Sequence, residues 1–175
     1  VALNPRNGKP ELDAIVGSTR LDLVIADENC LDKFTLPAAP LVLGKTDGKR
    51  TEETVAGLIA ANAGKRPKRH ERPLTALQTI KFTGGSTGRP KGVAQSYRVV
   101  NTSIASYLHH FRFGENDVNL CAAPVTHGSS HYILPILAVG GRHVLMEQPK
   151  AGAILDLIER ERITTSFMPP TMIYA

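Results

Sequence analysis

Tryptophan is absent from this sequence, and aromatic residues make up only 5% of its 175 residues. Cysteine is also scarce: Cys30 and Cys121 are the only two, and their separation matches no metal-ligand or redox spacing. These absences exclude a disulfide-rich scaffold and a cysteine-based zinc module. Because aromatic residues are few, a hydrophobic core must consist mainly of Val, Ile, Leu and Ala. The scarcity of cysteine predicts a reducing, cytoplasmic compartment.

Charged residues are missing from one long stretch, since no Asp, Glu, Lys or Arg occurs between Val118 and Gly141. A run of this length is sufficient to span a bilayer. Polar residues and prolines interrupt it, however, namely Pro124, His127, Ser129, Ser130, His131 and Pro135. The pattern predicts a buried strand followed by a buried helix, and no transmembrane segment.

The formal net charge is +5, and the short segment 65–72 supplies most of it. A basic run can mark a nucleic-acid or acidic partner. No aromatic residues alternate with these charges as a stacking surface would require, so the segment is interpreted as a solvated loop without a nucleic-acid partner. The basic segment predicts that the chain divides into two portions. The first, residues 1–73, is an N-terminal portion that ends in this basic linker, and the second comprises residues 74–175.

The first half of the chain gives short signals for secondary structure. Leu12, Ile15 and Val16 predict the inner face of a helix over 10–19. Strands are predicted over 21–26 and 41–43, and a turn at 46–48. A helix capped by Thr51 is predicted to run to about Asn62, with its apolar side chains Val55, Leu58 and Ile59 facing inward.

The second half alternates regularly between strand and helix patterns. The predicted strands are 79–82, 92–95, 118–123, 143–146 and 164–168, and the predicted helices are 97–111, 130–139 and 151–162. This alternation predicts an α/β fold of parallel βαβ units. The first residue is Val1, and Pro170 begins a helical turn with no stop signal after it, so the chain is expected to be an excerpt of a longer protein.

The segment with the clearest chemical meaning runs from Phe82 to Gly92, with the sequence Phe-Thr-Gly-Gly-Ser-Thr-Gly-Arg-Pro-Lys-Gly. Glycine backbone N–H groups can converge on an anion, hydroxyl groups add donors, and Lys91 adds a positive charge. The segment is not a Walker A loop, because Pro90 precedes the lysine and Gly92 follows it. It predicts a phosphate cradle between two strands. The alternative, from composition alone, is a flexible Gly/Ser hairpin.

This string resembles the pattern Tyr-Thr-Ser-Gly-[Ser/Thr]-Thr-Gly-x-Pro-Lys-Gly of the adenylate-forming superfamily of acyl- and aryl-CoA synthetases, peptide-synthetase adenylation domains and beetle luciferase. Two mild departures are Phe82 for tyrosine and Gly84 for serine. The segments Asn4–Pro5, Pro124–Gly128 and 154–170 also resemble parts of that family.

The resemblance implies the large N-terminal domain of an AMP-forming acid–CoA ligase, most similar to a fatty-acid or acyl-CoA synthetase. ATP, Mg²⁺ and CoA are then expected with a carboxylic acid, and a homodimer is an expected assembly. Lys91 is the implied catalytic residue, and the implied phosphate-binding residues are Thr83, Gly84, Gly85, Ser86, Thr87, Gly88 and Lys91. His127 and Gly128 are the implied gate of the acyl pocket.

Several alternatives remain open at this point. His127 is alternatively a core histidine bonded to backbone. A zinc site with His131 is disfavoured, because the glutamate of His-Glu-x-x-His is missing. The parent protein is alternatively an adenylation domain that loads a carrier protein, or a non-catalytic nucleotide-binding module. The family's adenine, ribose and C-terminal lysine motifs belong after Ala175, so the excerpt alone is expected to be inactive. The cut is also expected to expose apolar surface around Phe167, Met168 and Ile173, which would make the isolated excerpt poorly soluble.

Overall fold

A computed structural model describes residues 1–35, 41–43, 54–84 and 90–174. The described residues form two compact units. The larger comprises residues 1–2, 73–81 and 94–174, and the smaller comprises the described residues within 3–72 and 82–93. The elements mix helices with parallel strands, which confirms the predicted α/β class. The predicted division at residue 73 stays a prediction.

The smaller unit begins with a helix and two paired strands. Helix α1 spans Lys9–Gly17, strand β1 spans Ile25–Asp27 with a 3-10 turn at Glu28–Cys30, and strand β2 spans Leu41–Leu43. The strands are parallel, and the predicted inner face of α1 is buried. β1 is shorter than the predicted strand 21–26. The core of this unit consists of Leu12, Val16, Val24, Ala26 and Phe34.

Helix α2 spans Val55–Ala61, and its orientation differs from the prediction. Its cap is Thr54, whose Oγ1 accepts a hydrogen bond from the Gly57 N–H at 3.0 Å. Leu58 and Ile59 were predicted to face inward, and this is wrong, because they are 39% and 67% exposed. The one buried residue of the helix is Gly57, so a residue without a side chain occupies the inner face. The predicted cap Thr51 and the turn at 46–48 lie outside the described residues.

The larger unit contains a parallel three-stranded sheet with βαβ connections. Its elements are β5 (Val118–Cys121), α4 (Ser130–Ala138), β6 (Arg142–Leu145), α5 (Ala151–Glu161) and β7 (Thr165–Ser166), and a short helix α6 (Pro170–Ile173) follows. The strand order is β6-β5-β7, so β5 is central, and all four of its residues are buried. Leu120 packs with Ile154 of α5 in the core, which confirms the predicted parallel units.

Two more strands and the longest helix complete the described fold. Strand β3 spans Leu77–Thr83 and strand β4 spans Lys91–Ser96, and they pair with each other. Helix α3 spans Tyr97–Phe111, as predicted. Its N-cap is Ser96, and Arg112 ends it in the left-handed conformation with φ of 54°. α3 packs against α4.

The long charge-free run divides as expected into a strand and a helix. β5 is buried throughout, and α4 buries Pro135 and Ile136. In the described ranges, none of the helices combines the length and the apolar character needed to cross a membrane. The predicted strand over 164–168 is reduced to Thr165–Ser166, and two prolines, Pro169 and Pro170, follow soon after and carry no N–H groups for a sheet.

Candidate functional site

The glycine-rich loop is held by the ends of two paired strands. Thr83 ends β3 and Lys91 begins β4, and the Thr83 Oγ1 lies 3.5 Å from the Lys91 carbonyl oxygen. The predicted position of the loop between two strands is therefore confirmed at its flanks. Four of the predicted phosphate-binding residues lie outside the described residues: Gly85, Ser86, Thr87 and Gly88.

Three predicted phosphate-binding residues are described, and all are exposed: Thr83, Gly84 and Lys91. Lys91 lies on a strand, and it forms no ion pair with any other described residue. An exposed ammonium without an acidic partner is free to donate up to three hydrogen bonds to phosphate oxygens. The local geometry therefore suits the predicted contact, and the phosphate-binding role itself stays a prediction.

The predicted gate residue His127 lies in the turn between β5 and α4, and its side chain is exposed, so it is not a core histidine. Its Nδ1 lies 3.1 Å from the Thr126 Oγ1. Its carbonyl oxygen accepts hydrogen bonds from the backbone N–H of Ser130 at 3.1 Å and from the Ser130 Oγ at 2.5 Å. The backbone of the turn is thus fixed while the imidazole remains accessible.

Gly128 follows the gate histidine and lies directly against an aromatic ring. A Cβ at this position would meet the Phe167 ring at 2.4 Å, closer than carbon atoms can approach. Phe167 contacts the ring of Tyr132 in turn, with centroids 6.1 Å apart. The turn therefore requires glycine here for close packing. A role for Gly128 in an acyl pocket stays a prediction.

A polar cluster that the sequence interpretation missed lies beside the start of α4. Lys81 is half-buried on β3, and its Nζ donates a hydrogen bond to the Ser130 Oγ at 2.9 Å. The same Nζ lies 3.1 Å from the Nε2 of His131. Because an ammonium group can only donate, Nε2 must accept, and the ring proton is placed on Nδ1. We call Lys81, Ser130 and His131 the Lys81 cluster.

Burial changes the titration of the Lys81 cluster. Partial burial disfavours the charged ammonium and lowers the pKa of Lys81 below its usual range. Burial also lowers the pKa of His131, and the neighbouring positive charge of Lys81 lowers it further. His131 stacks on the ring of Tyr107, with the ring centroids 6.0 Å apart. The cluster therefore favours the neutral form of the imidazole, and the hydrogen bond from Lys81 and the stacking on Tyr107 fix its orientation.

The Lys81 cluster lines a cavity of about 310 Å³, which is at the lower end of the range for small-molecule sites. The cavity lies between β3, β4, α3 and α4. Its polar lining comprises Gln78, Thr79, Lys81, Gln95, Ser103, Ser130 and His131. Its apolar lining comprises Val99, Val100, Ile104, Leu134 and Pro135.

A weak sequence signal for Lys81 exists. It is a lysine between Ile80 and Phe82 in a segment with strand character, where a charged side chain is uncommon unless it has a partner. Its partners lie 49 and 50 residues further along the chain, however, and no local pattern connects them. His131 was considered only as a zinc ligand with His127. The described residues contain no group of three or more histidine, cysteine, aspartate or glutamate side chains arranged to hold a metal ion.

A second polar network, around Asn119, Cys121 and His143, supports the sheet. The Asn119 Nδ2 donates to the His143 Nδ1 at 3.0 Å, and the His143 Nε2 donates to the carbonyl oxygen of Ile133 at 3.1 Å. The Cys121 thiol is buried, and burial raises its pKa. A thiol that resists ionisation is a poor nucleophile, and the hydrogen bonds of this network connect β5 and β6 to α4.

Comparison with known proteins identifies the family. The chain is 29% identical over 177 residues to a feruloyl-CoA synthase from an Amycolatopsis species, and the match covers 100% of the chain and 34% of that protein. It is 27% identical over 176 residues to 4-coumarate–CoA ligase 5 from Oryza sativa subsp. japonica, covering 97% of the chain and 33% of that protein. The chain thus spans about a third of the length of these relatives.

The fold agrees with a solved structure, that of apo MatB from Rhodopseudomonas palustris. The TM-score is 0.73 at 25% sequence identity, and the match covers 97% of this chain and 34% of that one. The family described as AMP-binding enzyme matches residues 1–175. The sequence resemblance is therefore confirmed over the whole chain, and the chain belongs to the AMP-binding enzyme family.

Proposed function

We propose that the protein containing this chain is an AMP-forming acid–CoA ligase. It joins a carboxylic acid to ATP, giving an acyl-adenylate and pyrophosphate, and CoA then displaces AMP to give an acyl-CoA. The observation that carries this proposal is the glycine-rich loop, whose flanks end β3 and begin β4 and leave the Lys91 ammonium exposed and without an acidic partner among the described residues.

Lys91 and the loop act by positioning and by neutralising charge. Transfer of the adenylyl group concentrates negative charge on the departing pyrophosphate, so donors fixed around it lower the barrier. In this proposal the hydroxyl and backbone N–H groups of Thr83, Gly84, Gly85, Ser86, Thr87 and Gly88 hold the phosphate oxygens. Lys91 is the catalytic residue, because its charge contacts the β- and γ-phosphates.

Mg²⁺ would enter this site bound to ATP. Mg²⁺ binds nucleotide phosphates and keeps several of its waters. When bound, Mg²⁺ supplies further neutralisation of the phosphate charge. The chain's own contribution is the orientation of the phosphates by the loop.

His127 and Gly128 form the gate of the acyl pocket in this proposal. The hydrogen bonds from Ser130 fix the His127 backbone, and Gly128 packs against Phe167, so the imidazole projects from a rigid turn. The relatives' names, feruloyl-CoA synthase and 4-coumarate–CoA ligase, support CoA as the acceptor and an aryl acid as the substrate, and the proposal extends to fatty acids. A cytoplasmic location and a homodimer complete the proposal.

The experiment that tests this function is product analysis with the full-length protein. The protein is incubated with ATP, Mg²⁺, CoA and a panel of fatty and aryl acids, and acyl-CoA is detected by mass spectrometry. We expect at least one acid to give its CoA thioester together with AMP. If an acyl-adenylate forms but only a phosphopantetheinyl carrier protein accepts the acyl group, the protein is a carrier-loading adenylation domain. If ATP binds and no acid is converted, it is a non-catalytic nucleotide-binding module.

A further inference from the structure

The Lys81 ammonium has hydrogen-bonding capacity that the described residues do not use. It carries three N–H groups. One donates to the Ser130 Oγ and one to the His131 Nε2, and the third has no partner among the described residues. The ion pairs of the described residues do not include Lys81 either. A half-buried positive charge therefore faces the cavity without an anion.

The surroundings of this charge are unfavourable to a cation. Lys81 lies at the N-terminal end of α4, where the helix dipole presents partial positive charge. Its ring neighbour His131 cannot compensate, because a neutral imidazole carries no negative charge. The unpaired charge of the ammonium, the dipole at the helix end and partial burial all destabilise an isolated cation at this position. A bound anion in the cavity would compensate for all three.

The remaining lining defines the kind of anion. Gln78, Gln95 and Ser103 add amide and hydroxyl donors to the cavity, which suit the two oxygens of a carboxylate. Val99, Ile104 and Leu134 form an apolar wall suited to a hydrocarbon chain. A volume of about 310 Å³ accommodates a small organic acid. A single lysine with one free N–H is a weak site for a multiply charged phosphate, which favours a carboxylate.

We propose that the cavity between β3, α3 and α4 is a carboxylate-binding site in which the Lys81 Nζ contacts the carboxylate of an organic acid. The inference rests on the proposed function in one respect, since it takes the acid to be the substrate of the same protein. Two sources of this carboxylate are distinguishable. It is either the group that reacts with ATP, or a second carboxylate at the far end of a dicarboxylic acid.

The test is a calorimetric titration of the full-length protein with three probes of matched chain length: glutarate, its monomethyl ester and pentanoate. Wild type is compared with Lys81→Met, which keeps the length of the side chain and removes the charge. Lys81→Arg restores a charge. Lys150→Met removes an exposed lysine outside the cavity and serves as the matched control.

We expect Lys81→Met to weaken glutarate binding at least tenfold, while Lys81→Arg and Lys150→Met stay within about threefold of wild type. If the site holds a second carboxylate, wild type binds glutarate at least tenfold more tightly than pentanoate or the monomethyl ester, and Lys81→Met removes this preference. If it holds the reacting carboxylate, the three probes bind alike and Lys81→Met weakens all of them. Unchanged binding in Lys81→Met, or no binding of any probe to wild type, would overturn the proposal.

Acid-dependent pyrophosphate release, measured in parallel, separates this inference from the proposed function. Carboxylate binding that depends on Lys81, without pyrophosphate release from any acid, would support the cavity site and refute the ligase. Pyrophosphate release without Lys81-dependent binding would support the ligase and refute the site. Far-ultraviolet circular dichroism of each variant confirms that it is folded before its binding is interpreted.

Discussion

Gly128 lies against the ring of Phe167 so closely that a Cβ at residue 128 would stand 2.4 Å from the ring. The contact joins the turn that carries His127 to the chain just after β7, and through Tyr132 it reaches an aromatic cluster that also contains Tyr107, Phe111 and Phe113. Five of the nine tyrosine and phenylalanine residues of the chain therefore support the predicted gate and the start of α4.

The first prediction concerns this contact. Gly128→Ala should lower the free energy of unfolding by about 1–3 kcal/mol, because the added methyl group must displace the ring or the turn. Urea denaturation measures the effect. Gly152→Ala is the matched control: a Cβ there meets nothing within 4 Å, and the residue lies in helix α5, where alanine is favoured over glycine by about 0.5–1 kcal/mol. Equal stability of the two variants would show that the Phe167 ring moves aside for the added methyl group without a loss of stability.

The second prediction concerns the pair formed by the buried Asn119 and the half-buried His143. Asn119→Ala should destabilise the protein by about 1–3 kcal/mol, because the Nδ1 of His143 loses its donor. A double-mutant cycle with His143→Ala, followed by urea denaturation, measures the coupling between the two side chains. Strictly additive effects would mean that the 3.0 Å contact contributes nothing to stability.

The third prediction concerns pH. The folded pKa of His131 is lowered by burial and by Lys81, so the unfolded state, with a pKa of about 6.5, takes up the proton first as pH falls. The contribution of His131 to stability is therefore complete above about pH 6.5 and is lost as pH falls through the folded pKa. Between pH 7.5 and 5.5, wild type should lose more stability than His131→Gln.

The control for the pH experiment is His70→Gln, which removes an exposed histidine in the segment after α2. It should lose as much stability as wild type over the same pH interval. Chemical denaturation at several pH values gives the comparison. An identical pH response of wild type and His131→Gln would contradict a lowered pKa for the half-buried imidazole of His131.

The fourth prediction separates the two half-reactions of the proposed full-length ligase. Lys91→Ala should slow adenylate formation roughly 10- to 150-fold, because it removes one charge-assisted contact worth about 1.5–3 kcal/mol. Thioester formation from supplied acyl-adenylate should be affected much less, since no β- or γ-phosphate is present in that step. Rapid-quench measurement of each half-reaction tests this, with Lys150→Ala as the exposed control. Equal losses in both steps would remove Lys91 from the phosphate-binding role.

The sequence predicted those elements whose signals are local. Helix α3 was predicted over 97–111 and found there, because Ser96 caps its start and apolar residues repeat at helical spacing until Phe111. The parallel sheet followed from the alternation of strand and helix patterns. The predicted inner face of helix α2 was wrong for a physical reason. That face is occupied by Gly57, and a pattern based on large apolar residues does not detect a buried glycine.

The Lys81 cluster was missed because it exists only after folding. Lys81 and His131 are separated by 50 residues, and neither belongs to a recurring motif in this sequence. The glycine-rich loop, by contrast, is a continuous string, and its residue types predict phosphate binding without reference to any tertiary contact. A candidate site built from one loop can therefore be predicted from sequence, whereas a cluster assembled by packing between β3 and α4 requires the structure.

We propose that this chain supplies the phosphate-binding loop of an enzyme that activates carboxylic acids with ATP. The most direct measurement is acid-dependent exchange of labelled pyrophosphate into ATP by the full-length protein, for wild type and Lys91→Ala. We predict exchange that requires both Mg²⁺ and an acid, reaches saturation with the acid, and falls roughly 10- to 150-fold in the variant. A folded protein that binds ATP but shows no exchange with any fatty, aryl or dicarboxylic acid, or equal exchange with and without acid, would contradict the account.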